Sequence, residues 1–173
     1  MRAGAGSAFT GDDGNADPGL RAALASYASG GSRLPAIAAL LAGRVLVPVV
    51  AVADKVEPGE AGQPVDKQSS MAALLVQGED GRPALVAFTS VAALRAFSGD
   101  ARPVPLPTPE AARAALDAGA AALVVDIAGP VQLVVEGEEL THVAAGHRLV
   151  DAPDGPSWLV PVGRVGGAGE RPG

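Results

Sequence analysis

The chain has 173 residues, 48% hydrophobic and 18% charged, the size and composition of one globular domain. A net charge of −6 excludes general nucleic-acid binding, which needs a basic surface to neutralise phosphates. With no cysteine, disulfides, thiolate zinc sites, iron–sulfur clusters and Cys nucleophiles are excluded together. Three Phe, one Trp and one Tyr leave the core to Ala, Val and Leu.

Residues 1–16 are small, polar and Gly-rich, and read as a flexible lead-in. Asp17 caps a first helix with Pro18 at its first turn and Leu20, Leu24 and Tyr27 at near-helical spacing. Ser29-Gly30-Gly31-Ser32 ends it. A second helix runs from about Pro35 to Ala42, with Gly43 placed to stop it. Arg44 to Ala53 is the clearest strand, apolar at almost every position and so expected to be buried on both faces. Pro48 cannot donate to a ladder and marks an edge or a bulge.

Asp54 to Ser70 reads as a long exposed loop, punctuated by Pro58, Gly59, Gly62 and Pro64. Met71–Gln77 and Ala84–Phe88 read as a hairpin around Gly78-Glu79-Asp80-Gly81. Thr89-Ser90 caps the next helix, with Val91, Leu94 and Phe97 inward. Pro103 to Pro107 alternates Pro with Val and Leu, an extended edge. Thr108-Pro109 opens a helix that Gly119 closes. Ala122–Ile127 and Val131–Glu136 are strands, and a short helix spans Glu138 to Ala145. The expected core includes Val49, Leu85, Leu94 and Val124. Mixed helices and strands without strict βαβ alternation give an α+β fold, with a mainly antiparallel or mixed sheet, helices packed on it, and flexible tails. The expected organisation is a flexible segment 1–16, an α+β domain 17–150, and a Gly/Pro-rich extension 151–173.

No sequence pattern carries catalytic chemistry. Asp13, Asn15 and Asp17 imitate the start of a calcium loop, but Pro18 and Leu24 stand where it needs Gly and Glu. His142 and His147 are five apart, on different sides of a helix, without a ligand partner at helical spacing. No Gly-x-Ser-x-Gly and no P-loop occurs. Glu136, Glu138 and Glu139 form an acidic cluster that reads as solvated, and Asp126 ends a strand. The stretch Asp66-Lys67-Gln68-Ser69-Ser70 joins both charges and two hydroxyls beside a strand, and such a loop can grip a peptide or a small anion. The longest apolar run, Val45 to Ala53, is about half a membrane span. No apolar leader follows Met1, so a cytoplasmic location is expected.

The stretches Leu46-Val47-Pro48-Val49, Asp66 to Ala72, Gly81 to Ser90, Ala101 to Pro105 and Asp126 to Pro130, in this order and spacing, resemble the SseB N-terminal-domain family. The resemblance covers roughly residues 17–145 and is strongest to its short, single-domain actinobacterial versions. It implies an α+β domain without an assigned catalytic centre or cofactor. Ser70 departs from the pattern, since similar proteins often carry an acidic residue there. The expected function is a non-enzymatic, protein-interaction module with an unknown protein partner. Its surface would comprise Lys67, Ser69, Ser70, Thr89 and Ser90. These should share one side, because antiparallel pairing puts the start of one hairpin strand beside the end of the next. The alternative is an amino-acid or carboxylate sensor linked to amino-acid metabolism, binding through Lys67, Arg82 and the amides at Ser90.

Overall fold

The computed structural model describes residue 9, residues 11–53 and residues 69–161. The fold is α+β. Two helices lead, α1 (Pro18–Ala28) and α2 (Leu34–Ala42). Strands β1 (Arg44–Ala53), β2 (Ser69–Ala73), β3 (Leu75–Gln77) and β4 (Pro83–Ala87) follow. Next come α3 (Val91–Phe97), β5 (Arg102–Pro107), α4 (Thr108–Asp117), β6 (Ala122–Val125), β7 (Leu133–Glu136) and α5 (Gly137–Ala144). A hairpin of β8 (Arg148–Ala152) and β9 (Gly155–Leu159) closes the described residues. The strands join as β2-β1-β5, β3-β4-β6-β7 and β8-β9, antiparallel throughout except for the parallel pair β4–β6.

Local chemistry sets several boundaries as expected. The Asp17 carboxylate accepts from Leu20 N–H at 2.9 Å, capping α1. Ser90 Oγ accepts from Ala93 N–H at 3.1 Å, capping α3. Gly81, at φ +78°, supplies the left-handed residue of the β3–β4 turn. Alternation then sorts the apolar side chains. Val45, Val47, Leu85, Ala87, Leu123, Val125, Leu133 and Val135 face the layer built by α1, α2, α4 and α5. Leu46, Val86 and Phe88 face the other way, against Leu94 of α3. Strand β4 is therefore buried on both faces, which its unbroken apolar run requires.

Pro48 has a decisive place in the topology. The even-numbered residues of β1 turn their hydrogen-bonding groups toward β2 and β4. Leu46 exchanges both bonds with Phe88, at 2.7 and 2.9 Å. The Pro48 carbonyl accepts from Leu74 N–H at 3.1 Å, but Pro48 has no N–H to give in return. The Leu74 carbonyl takes Val86 N–H instead, at 3.4 Å. At Leu74 the strand thus passes from β1 to β4, and the expected single strand Met71–Gln77 is divided into β2 and β3. Pro48 marks neither an outer edge nor a bulge, since β5 flanks β1 on the other side.

Four expectations need correction. Val49 is half-buried, unlike Leu85, Leu94 and Val124, because on its face of β1 the core packed by α1, α2, α4 and α5 takes in Val45 and Val47 but not Val49. Residues 11–16 of the lead-in are tied to the domain: Asp12 pairs with Arg44, and the Gly14 carbonyl accepts from Val91 N–H at 2.8 Å. Gly14 is required there, since a Cβ would lie 2.7 Å from Val91 Cγ2. Residues 1–8 and 162–173 lie outside the described residues. The boundary at 150 cuts through β8, whose Leu149 packs with Trp158 of β9 against the main core. Finally, His142 and His147 meet, Nδ1 to Nδ1 at 2.8 Å, because α5 ends before Gly146 and the chain turns back. Trp158 stacks on His142 with ring centroids 4.9 Å apart. Among the described residues no cluster of three or more potential ligands could hold a metal ion.

Candidate interaction surface

The proposed surface residues fall into two places. Ser69 and Ser70 pair with Ala53 and Val52, at the far end of β1. The Thr89 carbonyl accepts from Arg44 Nη1 at 2.6 Å, at the near end. Eight residues of strand separate Arg44 from Val52, roughly 25 Å. A simple hairpin would have carried the register back from Leu75↔Leu85 until Met71 stood beside Thr89. The transfer at Leu74 breaks that register, and Phe88 pairs with Leu46 instead. Lys67 lies outside the described residues.

Thr89 is also no surface residue. It is 5% exposed, and its N–H and hydroxyl both donate to Asp126, at 2.9 and 2.7 Å. Asp126 follows β6, is 6% exposed, and carries φ +54°, the one non-glycine residue with positive φ among the described residues. Burial pushes its carboxyl above the usual value, against the lowering effect of the two Thr89 bonds. The pair locks together the ends of the parallel strands β4 and β6. Beside it lies a half-open recess of about 380 Å³, lined by Arg21, Leu24, Thr89, Ser90, Asp126 and Pro130 among others. Sequence reasoning passed over Asp126, because an acid at a strand end reads as solvated.

Three of the amides at the start of α3 are already engaged. Val91 N–H bonds Gly14, Ala93 N–H bonds Ser90 Oγ, and Leu94 N–H bonds the Ser90 carbonyl. Arg82 donates to Asp80 at 2.5 Å and to Glu136 at 3.2 Å, at the turn end of the hairpin. Glu139 of the acidic cluster is gripped by both terminal nitrogens of Arg33, at 2.6 and 2.7 Å.

The strand edges differ sharply from one another. On β5 the residues paired through hydrogen bonds to β1 are the even ones, so Pro103, Pro105 and Pro107 fall at the outward positions. Each lacks the N–H that another strand would use. On β7 the Val134 carbonyl accepts from Arg33 Nη2, so a side chain already occupies an acceptor of that edge. In the two larger sheets the remaining edge is β2–β3. Leu74 bonds Pro48 and Val86 through its own N–H and carbonyl, which lie on one side of a strand. Ala72 and Val76 share that direction. Met71, Ala73 and Leu75 turn theirs the opposite way, where no described strand pairs with them. Met71 and Leu75 are 51% and 44% exposed. Ser69–Gln77 contains no charged residue and no proline.

Among the described residues no helix is long and apolar enough to cross a membrane. No curated protein and no solved structure matches the chain. The family model of the SseB protein N-terminal domain matches residues 20–142, from α1 into α5. The match spans most of the 173 residues, and the chain belongs to the SseB N-terminal domain family.

Proposed function

We propose that this domain is a non-enzymatic, cytoplasmic protein-interaction module whose contact surface is the outer edge of β2–β3. The observation that carries this reading is the contrast between edges. Prolines block β5 and Arg33 occupies the Val134 carbonyl on β7, while Ser69–Gln77 offers outward backbone groups that no described strand pairs, flanked by the apolar Met71 and Leu75. An open strand edge binds extended chains through the backbone and selects them through alternate side chains. The carboxylate sensor loses support, because the Val91 and Ala93 amides and Arg82 already have partners. The recess beside Asp126 is a feature that still favours a small ligand.

The test is affinity capture from the native host with three baits: the intact chain, Lys67→Ala and Ala73→Pro. Proline at 73 removes only an outward N–H and leaves the inner ladder whole. Specific partners should be depleted at least about tenfold on the Ala73→Pro bait, a loss of ~1.4 kcal/mol or more. Identical partner sets on the intact and Ala73→Pro baits would sink the edge as the surface.

A further inference from the structure

We propose that a second copy of this chain occupies the β2–β3 edge, pairing antiparallel across a two-fold axis at Ala73. This rests on the reading of that edge as the contact surface and names its occupant. An isologous interface requires a patch that complements itself. The strand meets that requirement in its backbone. Met71, Ala73 and Leu75 all direct N–H and carbonyl outward, as the Leu74 bonds on the inner side require. Centring an antiparallel pair on Ala73 sets Ala73 opposite Ala73 and Met71 opposite Leu75 of the second copy. These are hydrogen-bonded positions, so about six backbone bonds form across the axis.

The side chains complement each other in the same register. Met71, Ala73 and Leu75 lie on one face, exposed in the single chain. Met71 of each copy meets Leu75 of the other, twice by symmetry, and the small Ala73 pair leaves the axis uncrowded. Charge gives no reason for a different partner. A two-fold axis brings like charges together, and this edge has none, although the whole chain carries −6. The pairing would continue β2-β1-β5 into one sheet of twice the width, with the proline-blocked β5 strands at its two outer limits. Closed pairing also removes the edge on which further copies could add.

Sedimentation equilibrium of the full chain, up to about 100 μM, tests this. The intact chain should form a reversible dimer. Ala73→Pro should be monomeric, with an unchanged far-UV spectrum and thermal midpoint at monomer concentrations. Met71→Lys and Leu75→Glu offer a second route if Ala73→Pro fails to fold. Each alone should weaken the dimer at least tenfold. An equimolar mixture should regain it, because the lysine introduced in one copy then faces the glutamate introduced in the other, in this register only. A monomeric intact chain would overturn the self-pairing, as would a dimer insensitive to Ala73→Pro and to the charged variants. A monomeric chain whose foreign partner is lost in Ala73→Pro would overturn this inference and leave the interaction module standing.

Discussion

Leu94→Ala should lower the unfolding free energy by about 2–5 kcal/mol, the range for truncating a buried leucine. Leu94 is fully buried on the inner side of α3. It packs with Leu46, Val86, Phe88 and Ala101, and the rings of Phe88 and Phe97 lie 5.4 Å apart in the same cluster. Among the described residues this side of the sheet has one helix, whereas the other has four. A cavity here therefore has few neighbours able to collapse into it. Against a total of about 5–15 kcal/mol for a small domain, the loss is large. Ala96→Ser, on the exposed side of α3, should stay within about 0.5 kcal/mol and serves as the control. Urea unfolding of the three proteins measures both. Equal midpoints for Leu94→Ala and the parent would show that α3 does not seal this face.

The position of Leu94 was legible because it depends on local signals. Ser90 caps the helix three residues before Ala93, and helical spacing then turns Val91 and Leu94 inward. The same holds for α1 after Asp17, for α4 after Thr108-Pro109, and for the turn from Gly78 to Gly81. Strand β1 was legible from its apolar run. So was β5, from its alternating prolines, but the strands on the other side of β1 were not. The division of residues 69–77 between β1 and β4 depends on a donor missing at Pro48 and on Val86 supplying another. The first fact is local to Pro48, but the second needs the three-dimensional register.

Long-range polar contacts were the least legible. Arg44 holds Asp12, the Asn15 carbonyl and the Thr89 carbonyl at once, and none of these lies near it in sequence. That clamp fastens residues 11–16, which composition alone marks as a flexible lead-in. The β8–β9 hairpin was missed because its Gly- and Pro-rich sequence buries little. Only Leu149 and Trp158 join the core from it. The candidate surface failed for a related reason. Thr89 and Ser90 have the residue types of a binding corner, but their hydroxyls serve Asp126 and the α3 cap.

Asp126→Ala should be among the most damaging single changes outside the apolar core. It would orphan the Thr89 N–H and hydroxyl, both buried, at about 1–3 kcal/mol each. Alanine also tolerates φ +54° poorly, a further ~1–2 kcal/mol. Asp126→Asn should behave differently. Asparagine still accepts from Thr89 N–H, can donate to the Thr89 hydroxyl oxygen, and suits positive φ. It also removes the buried charge. The pH dependence separates these effects. Burial raises the folded-state pKa of Asp126, so the folded chain binds its proton more tightly than the unfolded chain does. The resulting stability is complete below the ordinary carboxylate value and is lost as pH rises through the raised one. Asp126→Asn has no such loss, so its stability relative to the parent should improve as pH rises through that window. Taking the difference cancels carboxylates common to both proteins, including Asp12, whose pKa is lowered chiefly by its hydrogen bond from Arg44. Denaturant unfolding of the parent and both variants from pH 4 to pH 8 provides the measurement. A parent-to-Asn difference independent of pH would show that Asp126 bears no desolvated charge. An Asp126→Ala loss below about 1 kcal/mol would show that its two bonds to Thr89 do not join the strand ends.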